Sequence, residues 1–242
     1  VYEGPALARE WADESPREVW RRSIGEGFAG PVVAEGRVLL FHRVAGEEVL
    51  EAFLADTGEP VWRYAYPTTY RDDFGFDEGP RSSPVVAAGR VFTFGAQGQL
   101  HAVDLETGTG LWNVDTRAQF RFSKAFFGAA GTPLVEDGRV LANIGGQNGA
   151  GIVAFNASTG DVLWTATNEE ASYSSPIVAT FGGVRHAVFF TRDNVVALDP
   201  ATGRVRFERS WRARIRASVN AATPLVVDDH LFISAQYGTG AG

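Results

Sequence analysis

The sequence contains no cysteine and no methionine among its 242 residues. The missing cysteines exclude disulfide bonds, thiolate metal sites and a cysteine nucleophile, and they are compatible with either an exported or a cytosolic protein. No apolar run is long enough to span a bilayer, and no signal peptide is recognisable. Because the chain starts at Val1 and lacks methionine, we expect an internal fragment or a processed form.

Acidic residues outnumber basic ones, with 29 Asp and Glu against 22 Lys and Arg. The net charge is −7 and the isoelectric point is about 5.2, with no basic stretch beyond Arg212–Arg216. This balance argues against a nucleic-acid partner. The arginines near the C-terminal end have two interpretations: they bind an anionic partner, or they alternate on an outer strand that runs into solvent. This cluster comprises Arg206, Arg209, Arg212, Arg214 and Arg216.

A sequence motif of Thr-Gly followed by three residues and then an aromatic residue occurs four times. The copies run from Thr57 to Trp62, Thr107 to Trp112, Thr159 to Trp164, and Thr202 to Phe207. Successive copies are 50, 52 and 43 residues apart. Four short β-rich runs separated by turn residues fill each interval. A repeat of this length without helices predicts the blades of a β-propeller.

A second anchor of the repeat is a proline that opens a short apolar run in each copy. These prolines are Pro31, Pro84, Pro133, Pro176 and Pro224. They predict complete blades over residues 31–65, 84–115, 133–167 and 176–209, and the start of a fifth over 224–242. Residues 1–18 are expected to form an N-terminal extension, and residues 19–29 the outer strand of the closing blade.

The predicted fold is therefore all-β, with four-stranded antiparallel blades in a single partial propeller domain. Four complete blades and partial blades at both ends make an open arc of a seven- or eight-bladed ring, with exposed edges. Asp104, Asn156 and Asp199 stand three residues before the threonine, where a short side chain bonds turn amides; Leu54 replaces them in the first copy. Large rings are expected to pack between neighbouring blades. These are Trp20, Trp62, Trp112, Trp164 and Phe207.

The pattern Ala-x-Asp-x-x-Thr-Gly-x-x-x-Trp of residues 102–112 resembles the tryptophan-docking repeat of pyrroloquinoline-quinone-like propellers. Residues 154–164 fit it with Asn156 in place of aspartate, and residues 197–207 fit it with Phe207 in place of tryptophan. The resemblance covers nearly all of the chain from Trp20 onward. It is specific for the fold and weakly informative about function, because this fold serves very different proteins.

The resemblance implies one of two kinds of protein. Quinoprotein dehydrogenases hold pyrroloquinoline quinone with calcium on the propeller axis, often against a vicinal disulfide that this cysteine-free segment cannot form. The other group is non-catalytic and includes uncharacterised bacterial repeat proteins and the periplasmic propeller lipoprotein of outer-membrane barrel assembly. The sequence is most similar to the second group. We expect an exported, periplasmic scaffold with no catalytic residue and no cofactor; the alternative is a quinone-dependent alcohol or sugar dehydrogenase.

Ligand contacts are expected where the connections between blades meet the propeller axis. Arg81, Tyr173 and Asn220 come shortly before the inner-strand prolines and should face the axial channel together. Phe127 is a candidate stacking platform, and Gln147 and Asn148 lie on a glycine-rich hairpin that can reach the axis. The alternative is that such residues bond backbone and water in the channel or cover the end of a blade.

The remaining candidates concern metals, histidines and glycans. Asp72, Asp73 and Asp77 are weak candidates for a hard cation, but their spacing does not match a calcium loop, and a solvated loop is favoured. His42, His101, His186 and His230 lie on different blades without a catalytic carboxylate spacing. A third hypothesis is a carbohydrate binder that uses Tyr70, Phe74, Phe126 and Tyr173. The partner is therefore a protein, a small molecule or a glycan.

Overall fold

The computed structural model describes residues 18–124 and 126–242. They form four four-stranded antiparallel sheets followed by two two-stranded sheets, and the strands of each sheet follow one another in chain order. The predicted all-β architecture of antiparallel blades in an incomplete arc is confirmed. The expected N-terminal extension over residues 1–18 lies, except for Glu18, outside the described residues.

Each complete sheet has a short first strand and three further strands. The strands of the first two sheets are β1 (Val32–Ala34), β2 (Arg37–Val44), β3 (Glu47–Leu54), β4 (Pro60–Pro67), β5 (Val85–Ala87), β6 (Arg90–Phe94), β7 (Gln99–Asp104) and β8 (Gly110–Asp115). Those of the next two are β9 (Leu134–Glu136), β10 (Arg139–Asn143), β11 (Ile152–Asn156), β12 (Val162–Ala166), β13 (Ile177–Phe181), β14 (Val184–Phe190), β15 (Asn194–Leu198) and β16 (Val205–Ser210).

The remaining elements are short. They are α1 (Thr116–Phe120), β17 (Leu225–Val227), β18 (His230–Phe232), β19 (Ser234–Ala235) and β20 (Gly240–Ala241). Within the described ranges α1 is the only helix, and its first turn is capped by the Asp115 carboxylate, which accepts the Ala118 amide hydrogen at 2.9 Å. No helix in these ranges has the length and apolar character needed to cross a membrane.

The hydrophobic core is divided into layers that lie between successive sheets. Leu39 and Phe41 of the first sheet pack with Val91 and Val103 of the second, and equivalent clusters lie between the later sheets. The first strands of neighbouring sheets also contact one another, as β5 does with β9 and β9 with β13. Each sheet therefore buries both faces only by stacking against its neighbours, as expected for a propeller.

Each tryptophan ring of the repeat lies flat on the Thr-Gly turn of the following sheet. A Cβ added to the turn glycine would stand between 2.6 and 2.9 Å from the nearest indole atom. The pairs are Trp20 on Gly58, Trp62 on Gly108, Trp112 on Gly160 and Trp164 on Gly203. The structure places each of these four rings against the Thr-Gly turn of the sheet that follows it in the chain.

The indole nitrogens add a hydrogen bond to this contact. Nε1 of Trp20 donates to the Ala55 carbonyl at 2.7 Å, and Nε1 of Trp62 donates to the Leu105 carbonyl at 2.9 Å. Trp112 donates in the same way to Ala157 at 3.1 Å. Each acceptor lies two residues before the threonine of the repeat, so one short turn receives both the ring and its N–H.

Phe207, the fifth ring expected to pack between blades, has no equivalent turn beside it in the described residues, so its packing stays a prediction. Its side chain is 49% exposed. The turn equivalent to Thr57-Gly58 lies between the third and fourth strands of a sheet, and the two strand pairs that follow Phe207 do not include it.

The polar residue before each turn binds the turn backbone, as the sequence predicted. Oδ1 of Asp104 accepts the amide hydrogens of Glu106 at 3.1 Å and Thr107 at 2.8 Å. These bonds, led by that from Thr107, hold the pKa of Asp104 below its ordinary value. Asn156 and Asp199 make equivalent amide contacts in the third and fourth sheets.

A ladder of hydrogen bonds links the sheets near the axis. The Gly30 amide donates to the Ser83 hydroxyl at 3.0 Å, and the Ser83 amide donates to the Thr132 hydroxyl at 3.2 Å. The Thr132 amide in turn donates to the Ser175 hydroxyl at 3.2 Å. All four residues directly precede the prolines of the repeat. Each rung therefore joins one sheet to the next at the same level.

The expected outer strand over residues 19–29 is not formed. The segment makes an isolated antiparallel bridge from Glu26 to Arg43 and otherwise has no strand pairing with the described residues. Farther along the segment, the amides of Phe28 and Ala29 donate to the Pro80 carbonyl at 2.8 and 3.1 Å. Trp20 alone holds its expected place, through its ring and its indole nitrogen.

Two glycines of the second sheet allow the indole contact to be tested. Gly89 and Gly108 have nearly equal φ angles of +71° and +73°, but a Cβ at Gly89 meets nothing within 4 Å, whereas one at Gly108 meets the Trp62 ring at 2.7 Å. We expect Gly89→Ala to cost about 1 to 2 kcal/mol from its backbone conformation. Gly108→Ala should cost about 3 kcal/mol or more, because it also displaces the indole. Urea unfolding of both variants measures the difference, and equal losses would show that the ring contact contributes nothing.

Candidate functional site

The connections between sheets lie on the same face of the arc as the middle hairpins. Thr68, the first residue after β4, donates its amide hydrogen to the Gly46 carbonyl of the β2–β3 hairpin at 2.9 Å. Thr116 donates to the Gly98 carbonyl at 3.1 Å in the second sheet. In the third sheet the Gly151 amide donates to the Thr167 carbonyl, and in the fourth the Trp211 amide donates to the Asp193 carbonyl, each at 3.0 Å. Residues 68–84, 116–133, 167–176 and 211–224 therefore surround one mouth of the arc.

A cavity of about 340 Å³ opens at this mouth. Its walls come from the segment before β1 and from all four connections: Phe28, Asp72, Phe76, Arg81, Phe127, Ala130, Tyr173, Val219 and Ala221. Five of these residues stand three positions before a proline of the repeat, namely Phe28, Arg81, Ala130, Tyr173 and Ala221. Because each proline leads to an equivalent inner strand, the repeat brings this position of every sheet to one cavity.

Aromatic rings form a continuous cluster on one side of the cavity. The Phe127 ring centroid lies 5.5 Å from that of Phe74, 6.1 Å from Phe76 and 5.3 Å from Tyr173. Phe126 adjoins both Phe74 and Phe127. Phe74 and Phe76 remain 52% and 70% exposed, so the cluster presents an apolar surface to solvent. Exposed apolar patches of this kind mark interaction sites.

Tyr173 joins two of the connections. Its hydroxyl oxygen accepts the amide hydrogens of Phe126 at 3.0 Å and Phe127 at 2.9 Å. Burial, which outweighs these bonds, raises the pKa of Tyr173, so the hydroxyl keeps its proton at neutral pH. Because the oxygen already accepts two amide hydrogens, the hydroxyl hydrogen is the part of this group that can be donated to a ligand.

Arg81 is held firmly at the cavity wall. Its guanidinium donates to the carbonyls of Asp77, at 2.6 Å, and Gly79, and lies 3.5 Å from the Asp72 carboxylate. The same group stands over the Tyr70 ring, 4.8 Å from its centroid. Arg81 therefore stabilises its own connection while it lends positive charge to the cavity.

Asp72 organises the loop that carries Phe74 and Phe76. Its side chain is fully buried, and its two oxygens accept amide hydrogens from Phe74 at 3.0 Å, Phe76 at 3.1 Å and Asp77 at 3.2 Å. Burial acts to raise the pKa of Asp72, but these donors and Arg81 outweigh it and hold the pKa below its ordinary value. The carboxylate is thus ionised and already saturated with donors.

The other carboxylates considered for a cation are also engaged. Asp73 pairs with Lys124 at 2.7 Å, and Asp77 accepts the Gly79 amide hydrogen at 2.7 Å. In the part of the chain that the structure describes, no three His, Cys, Asp or Glu side chains are grouped as a metal site. The loop around Asp72, Asp73 and Asp77 is built by its own amides and cations.

Asn220 does not line the cavity, which corrects its assignment as a ligand contact. It is 2% exposed, and its amide nitrogen donates to the carbonyls of Thr191 at 2.9 Å and Trp211 at 3.1 Å. Asn220 stands four residues before its proline, whereas Arg81 and Tyr173 stand three before theirs. The equivalent of those two residues is Ala221, and the shift of one position turns the amide into the protein interior.

Three more candidates lie elsewhere or are covered. Gln147 and Asn148 are exposed at the tip of the β10–β11 hairpin and are not part of the cavity wall. Tyr70 is 3% exposed, with Arg81 over its ring and the Lys124 ammonium 5.2 Å from its centroid. Tyr70 therefore offers no free ring face for a glycan. Of the sequence-based candidates, the cavity brings together Arg81, Phe127 and Tyr173, with Asp72 beside them.

Sequence reasoning missed Phe28, Phe76 and Val219 as cavity residues. For Phe28 a signal existed, because it stands three residues before Pro31 in the same register as Arg81 and Tyr173. Phe76 and Val219 gave no such signal. Phe76 reaches the cavity because Asp72 folds the loop back through three amide bonds, and a path of that kind has no period in the sequence.

A buried polar cluster lies beside the mouth, between the first and second sheets. Glu48 is fully buried, accepts the Tyr66 hydroxyl hydrogen at 2.7 Å and accepts the Ala96 amide hydrogen at 2.8 Å. Burial raises the pKa of Glu48 despite these donors and the nearby arginines. His101 stacks on Tyr66 at 3.9 Å, and burial lowers its pKa to about 4, so it is neutral at physiological pH.

The sheets stacked in an arc, each with a ring on the turn of the next, define a β-propeller of pyrroloquinoline-quinone-like repeats. A family model described as outer membrane protein assembly factor BamB matches residues 13–241, and the chain belongs to this family.

Relatives of two kinds are similar to this chain. BamB of Burkholderia pseudomallei is 24% identical over 90% of this chain and 55% of its own length. The quinohemoprotein alcohol dehydrogenase ADH-IIG of Pseudomonas putida is 29% identical over 56% of this chain and 19% of its own length. The crystal structure of Moraxella catarrhalis BamB superposes with a TM-score of 0.60 at 17% identity, covering 87% of this chain and 57% of that one. The chain thus spans about half the length of the BamB relatives and a smaller part of the dehydrogenase.

Asp72→Asn tests how the cavity loop is organised. One amide oxygen cannot replace two carboxylate oxygens, so we expect faster hydrogen exchange at the amides of Phe74, Phe76 and Asp77. Asp73→Asn is the matched control, since Asp73 bonds only the Lys124 side chain. Mass spectrometry of exchange in this peptide compares the two variants; unchanged protection in Asp72→Asn would contradict the assignment.

Glu48→Gln tests the buried carboxyl through pH. A carboxyl whose folded pKa is raised contributes most below its ordinary value of 4.5 and loses that contribution as pH rises through the folded pKa. The melting temperature of the parent, relative to Glu48→Gln, should therefore fall between pH 4.5 and neutrality. Glu47→Gln, at a half-exposed neighbour, is the matched control for the loss of one carboxylate. A difference between parent and Glu48→Gln that does not vary with pH would rule out the buried charge.

Proposed function

We propose that this chain is a non-catalytic, exported scaffold of outer-membrane protein assembly and that its mouth binds a protein partner. The family and the BamB relatives support an assembly role. A periplasmic location follows from the same role. Identities of 24% and 28% leave the particular partner to be found by experiment.

The observation that carries this proposal is the chemistry of the cavity. Its rings are exposed, while its polar groups are already used: Asp72 by loop amides, Arg81 by carbonyls and the Tyr173 oxygen by two amides. A surface that offers apolar area and little unsatisfied polarity suits protein association, in which aromatic residues contribute most of the binding energy. It offers no free general base or nucleophile for catalysis.

The alternative is a quinone-dependent alcohol or sugar dehydrogenase, which the similarity to ADH-IIG supports. Pyrroloquinoline quinone bound with calcium requires carboxylate or amide oxygens that are free to coordinate. At this mouth the Asp72 oxygens accept three amides, and Asp73 and Asp77 are engaged as well. The residues of the cavity do not fit the group, and we propose that the scaffold works without a cofactor.

Site-specific photocrosslinking tests the scaffold role. Phe76, 70% exposed at the cavity edge, is replaced by the photoreactive p-benzoylphenylalanine in bacteria that produce the chain in the periplasm. We expect a crosslink to a protein of outer-membrane assembly, identified by mass spectrometry. The matched control carries the same probe at Leu163, which is 46% exposed on the outer strand β12.

Two outcomes would overturn the proposal. One is a pattern of crosslinks at Phe76 that equals the pattern at Leu163 or contains no assembly protein. The other is dye-linked alcohol oxidation, or saturable quinone binding, after pyrroloquinoline quinone and calcium are added to the purified chain. That second result would establish the dehydrogenase alternative instead.

A further inference from the structure

Of the five arginines near the C-terminal end, Arg206 and Arg209 lie on the outer strand β16, and the other three lie in the connection at the mouth. Strand β16 ends at Ser210, so Arg212, Arg214 and Arg216 belong to the connection that follows it. Alternation along a strand therefore does not explain them. From Arg209 to Val227 the sequence has no acidic residue, in a chain of net charge −7. The connection is a local concentration of positive charge beside the cavity.

The backbone of this connection is fixed, while two of its cations face solvent. The Arg216 carbonyl accepts hydrogens from Nη2 of Arg192 and from Nη2 of Arg212, each at 3.2 Å. Arg192 and Arg212 are themselves paired with Glu170 and Asp193. Arg214 and Arg216 are exposed, and their side chains pair with no acidic residue of the described chain. Ile215 between them is 51% exposed.

The exposed tip of this connection, formed by Arg214, Ile215 and Arg216, lies on the same surface as the aromatic cavity. The Arg192 guanidinium lies 5.4 Å from the Phe126 centroid, and Phe126 adjoins Phe127 of the cavity wall. Val219, three residues after Arg216, lines the cavity directly. The exposed arginines therefore stand on the connection that also supplies part of the cavity wall.

We propose that this surface binds an extended acidic segment of a protein partner, with an apolar or aromatic side chain in the cavity and carboxylates on Arg214 and Arg216. The inference rests on the proposed function and names the chemistry of its partner. Arginine is suited to carboxylates because its planar group donates two parallel hydrogen bonds. A cavity recessed between loops favours a peptide over a flat lipid surface, which would reach only the arginine tips.

Fluorescence anisotropy with defined peptides tests the proposal on the full chain. The probe is a short labelled peptide in which aspartates flank one phenylalanine; matched peptides carry lysines for the aspartates or alanine for the phenylalanine. We expect the first peptide to bind most tightly and to weaken as salt is raised. The double variant Arg214→Glu/Arg216→Glu should lose binding at least about tenfold. The control Arg204→Glu/Arg209→Glu makes the same change of charge at exposed arginines away from the cavity.

Several results would overturn the inference. Equal binding of the aspartate and lysine peptides, or equal effects of the two double variants, would exclude the charge contact. An unchanged affinity of the aspartate peptide in Phe127→Ala would exclude the cavity anchor. Arginine-dependent binding to phosphatidylglycerol vesicles without peptide binding would assign the arginines to a lipid surface. Arg214 and Arg216 are exposed, so we expect their replacement to leave the fold intact. Equal melting temperatures of variants and parent then show that a loss of peptide binding is not caused by unfolding.

The inference and the proposed function fail in different ways. If the Phe76 crosslink to an assembly protein persists in Arg214→Glu/Arg216→Glu and the peptides do not bind, the scaffold role stands and the acidic partner is wrong. If quinone-dependent oxidation appears, the scaffold role itself is wrong.

Discussion

An indole ring laid on the Thr-Gly turn of the next sheet is the contact on which the arc depends. The turn glycine leaves room for the ring, and the carbonyl two residues before the threonine receives the indole hydrogen in three of the four cases. A sheet with two apolar faces is unstable alone, so the contact between sheets is also what stabilises each of them. By fixing how one sheet sits on another, the ring also fixes where the connections lie.

The cavity is a consequence of that stacking. One position of the repeat, three residues before each proline, converges from five sheets, and the chemistry of the cavity depends on which residue stands there. Phe28, Arg81 and Tyr173 supply rings and charge, while Ala130 and Ala221 supply space. The loops then add what the repeat does not contain: Asp72 folds Phe76 back, and Tyr173 holds the amide of Phe127.

The structural features that recur in every repeat were predicted best from the sequence, and those that occur only once were predicted least well. The all-β arc followed from spacing, because equivalent residues meet equivalent neighbours. Asn220 was assigned to the cavity, although it lies one position before the equivalent residue, Ala221. In an extended segment, a shift of one position turns a side chain from the cavity into the protein interior. The place of Phe207 stays a prediction, because the described residues include no equivalent Thr-Gly turn of a following sheet. The path of residues 72–77 depends on bonds to one carboxylate, which no pattern of residue types indicates.

The hydrogen-bond ladder beside the prolines has a direction. Every rung runs from an amide of one sheet to a hydroxyl of the next, so a sheet needs a hydroxyl at this position to be joined to the one before it. The first sheet carries Gly30 there, which donates forward but offers nothing backward. On that flank the segment before the first sheet is held by the Trp20 ring on Gly58 and by the indole hydrogen bond to Ala55. The first sheet is therefore joined to the second by a rung that it does not share with the segment before it.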